Sequence, residues 1–208
     1  MSDNGAQGGD RVRIYTSRNT GTVGSAGSYD VQNSNWSQTG NSPLRSYKDN
    51  PYEGGIGAPF IVWYPKEVKA NTIKRGTGHL IDIAPTLYDY AQTKYPNTNY
   101  GTATNTLPGV SLRKLLNTDL AQVERNQALF WERAGNRAVR FGKWKLVSTY
   151  RNGNNVELYD IDTDRGENHN VASQNPQVVK QLEELYRKWA KENDVVNYDR
   201  IKGQSSFR

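Results

Sequence analysis

Residues 44–65, LRSYKDNPYEGGIGAPFIVWYP, decide how the rest of the chain is read. The run has three physical parts. A basic, polar approach with Arg45, Lys48 and Asp49 leads into a bend. Glu53-Gly54-Gly55-Ile56-Gly57 then places glycines where a backbone must turn tightly or pass close to another segment. Pro59-Phe60-Ile61-Val62-Trp63-Tyr64 is continuously apolar and β-favouring, and Pro65 ends it. A run apolar on both sides predicts a strand in a covered, mostly parallel sheet. The bend would deliver Lys48 to the rim of that sheet, where α/β proteins build their sites.

Composition sets bounds on the reading. The 208 residues suffice for one large domain or one and a half small ones. Hydrophobic residues make up only 35%, but 13 Tyr and 5 Trp can still supply a core. No run approaches the roughly eighteen apolar residues of a membrane-spanning helix. Met1 is followed directly by polar residues, so no secretory leader is read there. For an excised piece, that would not locate the parent. Lys and Arg exceed Asp and Glu by 27 to 21, a net +6 that is scattered over the chain. Such a surface can attract polyanions, a sulfated glycan as well as a nucleic acid. No basic block, RNP-like motif or zinc spacing supports nucleic acid. The absence of cysteine excludes disulfides, thiolate metal sites and a cysteine nucleophile within this chain.

Taken in order, the chain opens on Ser2-Asp3-Asn4-Gly5-Ala6, a turn sequence. Residues 16–42 are Ser, Thr, Asn and Gly with few apolar anchors, among them Tyr29 and Trp36. They read as a long loop, either idle or a substrate-lining lid that offers the two rings as platforms. His79-Leu80-Ile81-Asp82-Ile83-Ala84-Pro85-Thr86-Leu87 has a helical apolar stripe, with Pro85 near the first turn and the regular helix starting close to Ala84. Residues 110–116 read as a short amphipathic helix. From Ala128 the pattern changes to short strands at close spacing, with turns at 134–136, at Gly142 and at 152–154, the mark of an antiparallel sheet. Asn175-Pro176 starts a helix whose Val178, Leu182, Leu185, Tyr186 and Trp189 share one face and should lie on that sheet.

Several of these stretches together resemble one family. Tyr52 to Pro65, with a lysine five residues before Glu53, is similar to the segment that sulfatases of the alkaline-phosphatase-like superfamily carry after their second pair of metal ligands. Ser2-Asp3-Asn4-Gly5 resembles the family's strand-end S-D-N-G. His79 to Leu87 resembles its next helix. Leu129-Phe130-Trp131-Glu132, the stretch 137–147 and Glu157-Leu158-Tyr159-Asp160 resemble the strands of its C-terminal subdomain. The likeness runs in order over nearly the whole chain. It implies an α/β protein, the C-terminal part of an alkaline-phosphatase-like sulfatase fold. Within it, an α+β subdomain would hold a short antiparallel sheet of about four strands packed by the C-terminal helix. Residues 1–120 would be the last segment of the catalytic domain and 121–208 the subdomain.

The resemblance also implies a chemistry, cleavage of sulfate monoesters of aryl or sugar substrates. Asp3 and Asn4 would be two ligands of a calcium ion, a hard cation that takes oxygen donors. Lys48 would contact the sulfate as a point charge. Arg45 and Glu53 would brace the lysine loop. The family's nucleophile is a formylglycine made from the first residue of a Cys- or Ser-x-Pro-x-Arg motif, and that motif is not present. Asn41-Ser42-Pro43-Leu44-Arg45 has the proline and arginine spacing, but an amide cannot become formylglycine. The chain is therefore expected to be inactive alone and to partner the missing N-terminal part of the same enzyme, with the parent exported to a periplasmic, extracellular or lysosomal-type compartment. His79 should cap or pack, and His169 should lie on the surface. Two other readings stay open: a non-catalytic module that binds anionic glycans or a protein, and a phosphomonoester or phosphonate hydrolase of the same superfamily. The second usually has Asp-His where Asn4 stands, so Asn4 favours sulfate.

Overall fold

The computed structural model describes residues 4–8, 20–22, 24–28, 33–123 and 125–203. The chain gathers into two compact units, Met1–Phe60 with Ala128–Arg208, and Ile61–Gln127.

In the larger unit, four strands form an antiparallel meander in the order β3-β4-β5-β6. They are β3 (Leu129–Arg133), β4 (Asn136–Phe141), β5 (Trp144–Ser148) and β6 (Val156–Asp160). The turns do what the sequence asked of them. Ala134 and Gly135 both take positive φ in the two-residue link between β3 and β4, the primed geometry that suits strand twist. Register places Val139 opposite Leu146 and Leu146 opposite Leu158, so one face of the sheet carries an aliphatic row. Helix α5 (Pro176–Glu192) covers that row with Leu182 and Tyr186, and Trp189 stacks on Phe130 at 4.9 Å between ring centroids. Pro176 sits at the first turn as expected. Asn175 holds the cap position, but its side-chain amide donates to the Val171 carbonyl instead of capping.

The other face of the sheet is apolar too. Ala138, Val147, Tyr159 and Ile161 pack with Tyr52 there, so the glycine-rich bend serves as the second cover of the sheet. Two short helices belong to the same part of the chain, α1 (Ser34–Asn41) and α2 (Glu53–Ile56).

The smaller unit holds a 3-10 turn at Leu80–Asp82, helix α3 (Ile83–Tyr90), a two-stranded ribbon of β1 (Thr98–Asn99) and β2 (Thr102–Ala103), and α4 (Arg113–Asn117). Pro85 falls in the first turn of α3, where its missing N–H costs nothing. The helix read at 110–116 is shorter and later than its apolar pattern suggested.

Two expectations are corrected. Residues 34–41, read as part of a long loop, form α1, whose first turn Asn33 caps by accepting from the Trp36 N–H. Residues 59–64 are not a buried strand: none of them is assigned to a strand, and Ile61 and Trp63 are 85% and 86% exposed. A β-favouring run becomes a strand only when neighbouring strands pair with its N–H and C=O groups. Among the described residues the only ladders are β1-β2 and the meander.

Candidate functional site

The lysine turn is built by close approach of three backbone segments. The Gly5 N–H donates to the Gly55 carbonyl at 3.2 Å, and the Lys48 N–H donates to the Ala6 carbonyl at 3.0 Å. A side chain at Gly5 would place its Cβ 1.9 Å from the Gly54 oxygen. At Gly54 and Gly55 a Cβ would lie 2.3 Å and 2.2 Å from the carbonyl oxygens of Ser46 and Asn50. The glycines are there because the backbones touch, as the sequence suggested.

Helix α1 clamps the same segments with polar side chains. Ser37 donates to the Gln7 carbonyl at 2.6 Å, and the Asn41 amide donates to the carbonyls of Ser46 and Gly54 at 2.9 and 2.8 Å. Ser46 and Asp49, on either side of Lys48, both take φ of 70°, a left-handed conformation uncommon for residues with a Cβ. The surroundings hold them there. The Ser46 N–H is taken by Gln38, while the Asp49 carboxylate and carbonyl accept from Arg133 and Asn136 of the first hairpin. Held strain of this kind concentrates at functional positions.

The braces expected of Arg45 and Glu53 run to the C-terminal sheet. Arg45 Nη1 donates to Glu157 at 3.2 Å, to the Tyr159 hydroxyl at 2.7 Å and to the Glu167 carbonyl at 3.2 Å, and its guanidinium lies over the Tyr52 ring. Glu157 also accepts from the Tyr52 and Tyr159 hydroxyls. Burial, reinforced by the Glu157 carboxylate, pushes both phenols well above the ordinary tyrosine range, so they remain donors. Glu53 is buried against Lys145, whose ammonium donates to it at 2.8 Å and lies 2.9 Å from Glu167. Burial works against the Glu53 carboxylate, but Lys145, with Arg140 and Arg165, outweighs it and holds the group below the usual carboxylate range. Glu167 goes the other way: burial, helped by the Glu53 charge, raises it in spite of Lys145.

Of the residues expected at a site, Asn4 and Lys48 are partly buried in segments that share backbone hydrogen bonds. Asp3 lies outside the described residues, as does Tyr29. Trp36 is exposed on α1. A carboxylate and an amide oxygen are hard donors, and they fit calcium as two of the roughly six to eight oxygens it takes. Among the described residues no group of three His, Asp or Glu side chains is placed to hold a metal. His79 caps the turn at Leu80–Asp82: its Nδ1 accepts from the Ile81 N–H and Asp82 accepts from its backbone N–H. His169 is exposed, as expected. Sequence reading missed Lys145 and Glu167. The available signal was Lys145 itself, a charge inside a strand whose neighbours on both faces are apolar.

Comparison with known proteins gives this arrangement its class. Residues 47–192 match the family described as N-sulphoglucosamine sulphohydrolase, C-terminal, and the chain belongs to that sulfatase family. Among curated relatives, an uncharacterized sulfatase of Schizosaccharomyces pombe is 28% identical over 94% of this chain and 38% of its own length. N-acetylgalactosamine-6-O-sulfatase of Bacteroides thetaiotaomicron is 31% identical over 70% of this chain and 30% of its own. Arylsulfatase K of Mus musculus is 28% identical over 74% and 28%. The chain thus spans between 28% and 38% of the length of these relatives. A solved structure concerned with the metabolism of multiple glycosaminoglycans by Bacteroides thetaiotaomicron matches with a TM-score of 0.57 at 26% identity, covering 71% of this chain and 32% of that one. The structure of Ps i-CgsB matches with a TM-score of 0.60 at 22% identity, covering 72% and 32%, and supports the fold.

Proposed function

We propose that this chain is the C-terminal portion of a calcium-dependent sulfatase that hydrolyses sulfate monoesters of a glycan or aryl substrate. Lys48 is the sulfate contact: a compact ammonium charge suits a tetrahedral anion and stabilises charge as the leaving oxygen departs. Asp3 and Asn4 hold part of a calcium ion, which supplies Lewis-acid polarisation of the sulfuryl oxygens when bound. Arg45 and Glu53 keep the lysine turn in place from the sheet side. The nucleophile comes from the N-terminal part of the same enzyme, since this chain has no cysteine and no Cys- or Ser-x-Pro-x-Arg motif. That part also covers the apolar residues 60–63. The name of one relative, N-acetylgalactosamine-6-O-sulfatase, supports a sulfated glycan among these substrates, and the parent is exported to meet it.

The observation that carries the reading is the hydrogen bond from the Lys48 N–H to the Ala6 carbonyl, which ties the lysine turn to the segment that begins at Asn4. The test uses the full-length enzyme and an aryl sulfate. Lys48→Ala should lower turnover by about a hundredfold or more, as loss of a transition-state charge contact does. Unchanged kinetics would remove Lys48 from the site.

A further inference from the structure

The sheet face opposite α5 holds one group that the proposed chemistry does not use. Lys145 is fully buried in β5, opposite Tyr159 and on the face that carries Ala138 and Val147. A lone ammonium there would be prohibitive, so its partners define its role. Both partners are buried carboxylates that serve the glycine bend. Glu53 is the first residue of α2, and Glu167 accepts from the Glu53 N–H at 2.6 Å. Tyr52, at the cap position of that helix, makes no side-chain cap, so Glu167 caps it from 114 residues away. Glu167 does so from a left-handed backbone at φ 55°, and its carbonyl takes Arg45.

We propose that Lys145 is a positioning residue for Lys48: with Glu53 and Glu167 it fixes α2 to the sheet, and α2 fixes the lysine turn. The second step follows from contact. Gly54 donates to the Arg45 carbonyl at 2.8 Å, and Gly54 and Gly55 touch the Ser46 and Asn50 carbonyls with no room for a methyl group. A helix packed that tightly on both flanks of Lys48 cannot shift without carrying the turn along. The inference deepens the reading of Lys48 as the sulfate contact and rests on it only for activity.

Two measurements test it separately. In the 208-residue chain, amide hydrogen exchange is followed at Lys48 and Gly5, whose N–H groups bond to Ala6 and Gly55. Lys145→Met should speed exchange at both by about tenfold or more while the amides of Val139, Leu146 and Leu158 keep their protection. Should Lys145→Met fail to fold, Glu167→Gln, which keeps an acceptor for the Glu53 N–H, should give the same local loss. Unchanged protection at Lys48, or equal loss throughout the sheet, overturns the proposal. In the full-length enzyme, Lys145→Met should lower kcat/KM in the native background and add nothing to Lys48→Ala. A full additional loss on top of Lys48→Ala overturns positioning through Lys48. If Lys48→Ala itself leaves turnover intact, the sulfate reading fails, and the exchange result still decides whether Lys145 orders the turn.

Discussion

Lys48 and Ala6 are joined backbone to backbone, the Lys48 N–H donating to the Ala6 carbonyl at 3.0 Å across forty-two positions of sequence. Beside that bond, the Gly5 N–H reaches Gly55. Two hydrogen bonds alone would fix the register of these segments weakly, since each contributes about 1 kcal/mol net. The glycines permit the close approach that these bonds need, because a Cβ at Gly5, Gly54 or Gly55 would overlap a carbonyl oxygen of the facing segment.

A paired substitution tests that close approach. Gly5→Ala should destabilise the chain by about 1–3 kcal/mol, the usual cost of forcing atoms into filled space, since its Cβ would lie 1.9 Å from the Gly54 oxygen. Gly40→Ala should have the opposite sign. Gly40 is inside α1 with nothing within 4 Å of an added Cβ, so alanine's helix propensity should stabilise by roughly 0.5–1 kcal/mol. Denaturant unfolding of the two variants measures both. Equal effects would mean that the close approach at Gly5 is not enforced.

The glycine packing shows what a sequence can carry. Glycine clusters, two-residue turns and the 3.6-residue stripe of α5 are local signals, and the meander with its helix was legible from them. The lysine turn was legible through its glycines. Lys145 and Glu167 were not, because a buried ion pair joins residues whose separation is set by the fold rather than by any period. Residues 59–64 failed for the opposite reason. Their β propensity is real, but propensity describes a surface that fits a pleat, and a strand also needs a neighbour to pair with.

That failure yields a prediction about the exposed run. Ile61 and Trp63 are 85% and 86% exposed, so in this chain Ile61→Ser with Trp63→Ser should change stability by no more than about 0.5 kcal/mol for each site, as surface changes do. In the full-length enzyme, where we propose that the N-terminal part covers them, the same pair should cost several kcal/mol, in the range of about 2–5 per deleted core side chain. Unfolding midpoints of the two proteins, with and without the substitutions, give the comparison. Equal small effects in both would place the run on the surface of the whole enzyme.

The buried Asp82 supplies a third case. It is fully buried, accepts from the His79 and Val110 N–H groups and pairs with Arg125. Asp82→Ala would leave the Arg125 charge and two N–H donors without it, a loss of about 3–5 kcal/mol by the measure of broken buried pairs. Asp82→Asn keeps an acceptor oxygen and should cost less. Calorimetry of the two variants checks the order, and an alanine variant as stable as the native chain would show that the cluster holds nothing together.

The last prediction concerns pH. His79 is held below the ordinary histidine value of about 6.5, because burial disfavours its charged form and Arg125 adds to that, while the nearby Asp82 pulls the other way and loses. Its Nδ1 accepts the Ile81 N–H, a bond that protonation at that nitrogen would remove. The folded chain therefore binds fewer protons at His79 than the unfolded chain does between the depressed value and about 6.5. Stability from this group is complete above about pH 6.5 and is lost as pH falls through the folded value. Denaturant unfolding at about pH 7 and pH 5 should show lower stability at the lower pH. His79→Asn keeps a capping side chain and has no proton to take up, so it should narrow the difference between the two conditions. If the variant shows the same loss on acidification as the native chain, the proton is taken up elsewhere and His79 does not govern this turn.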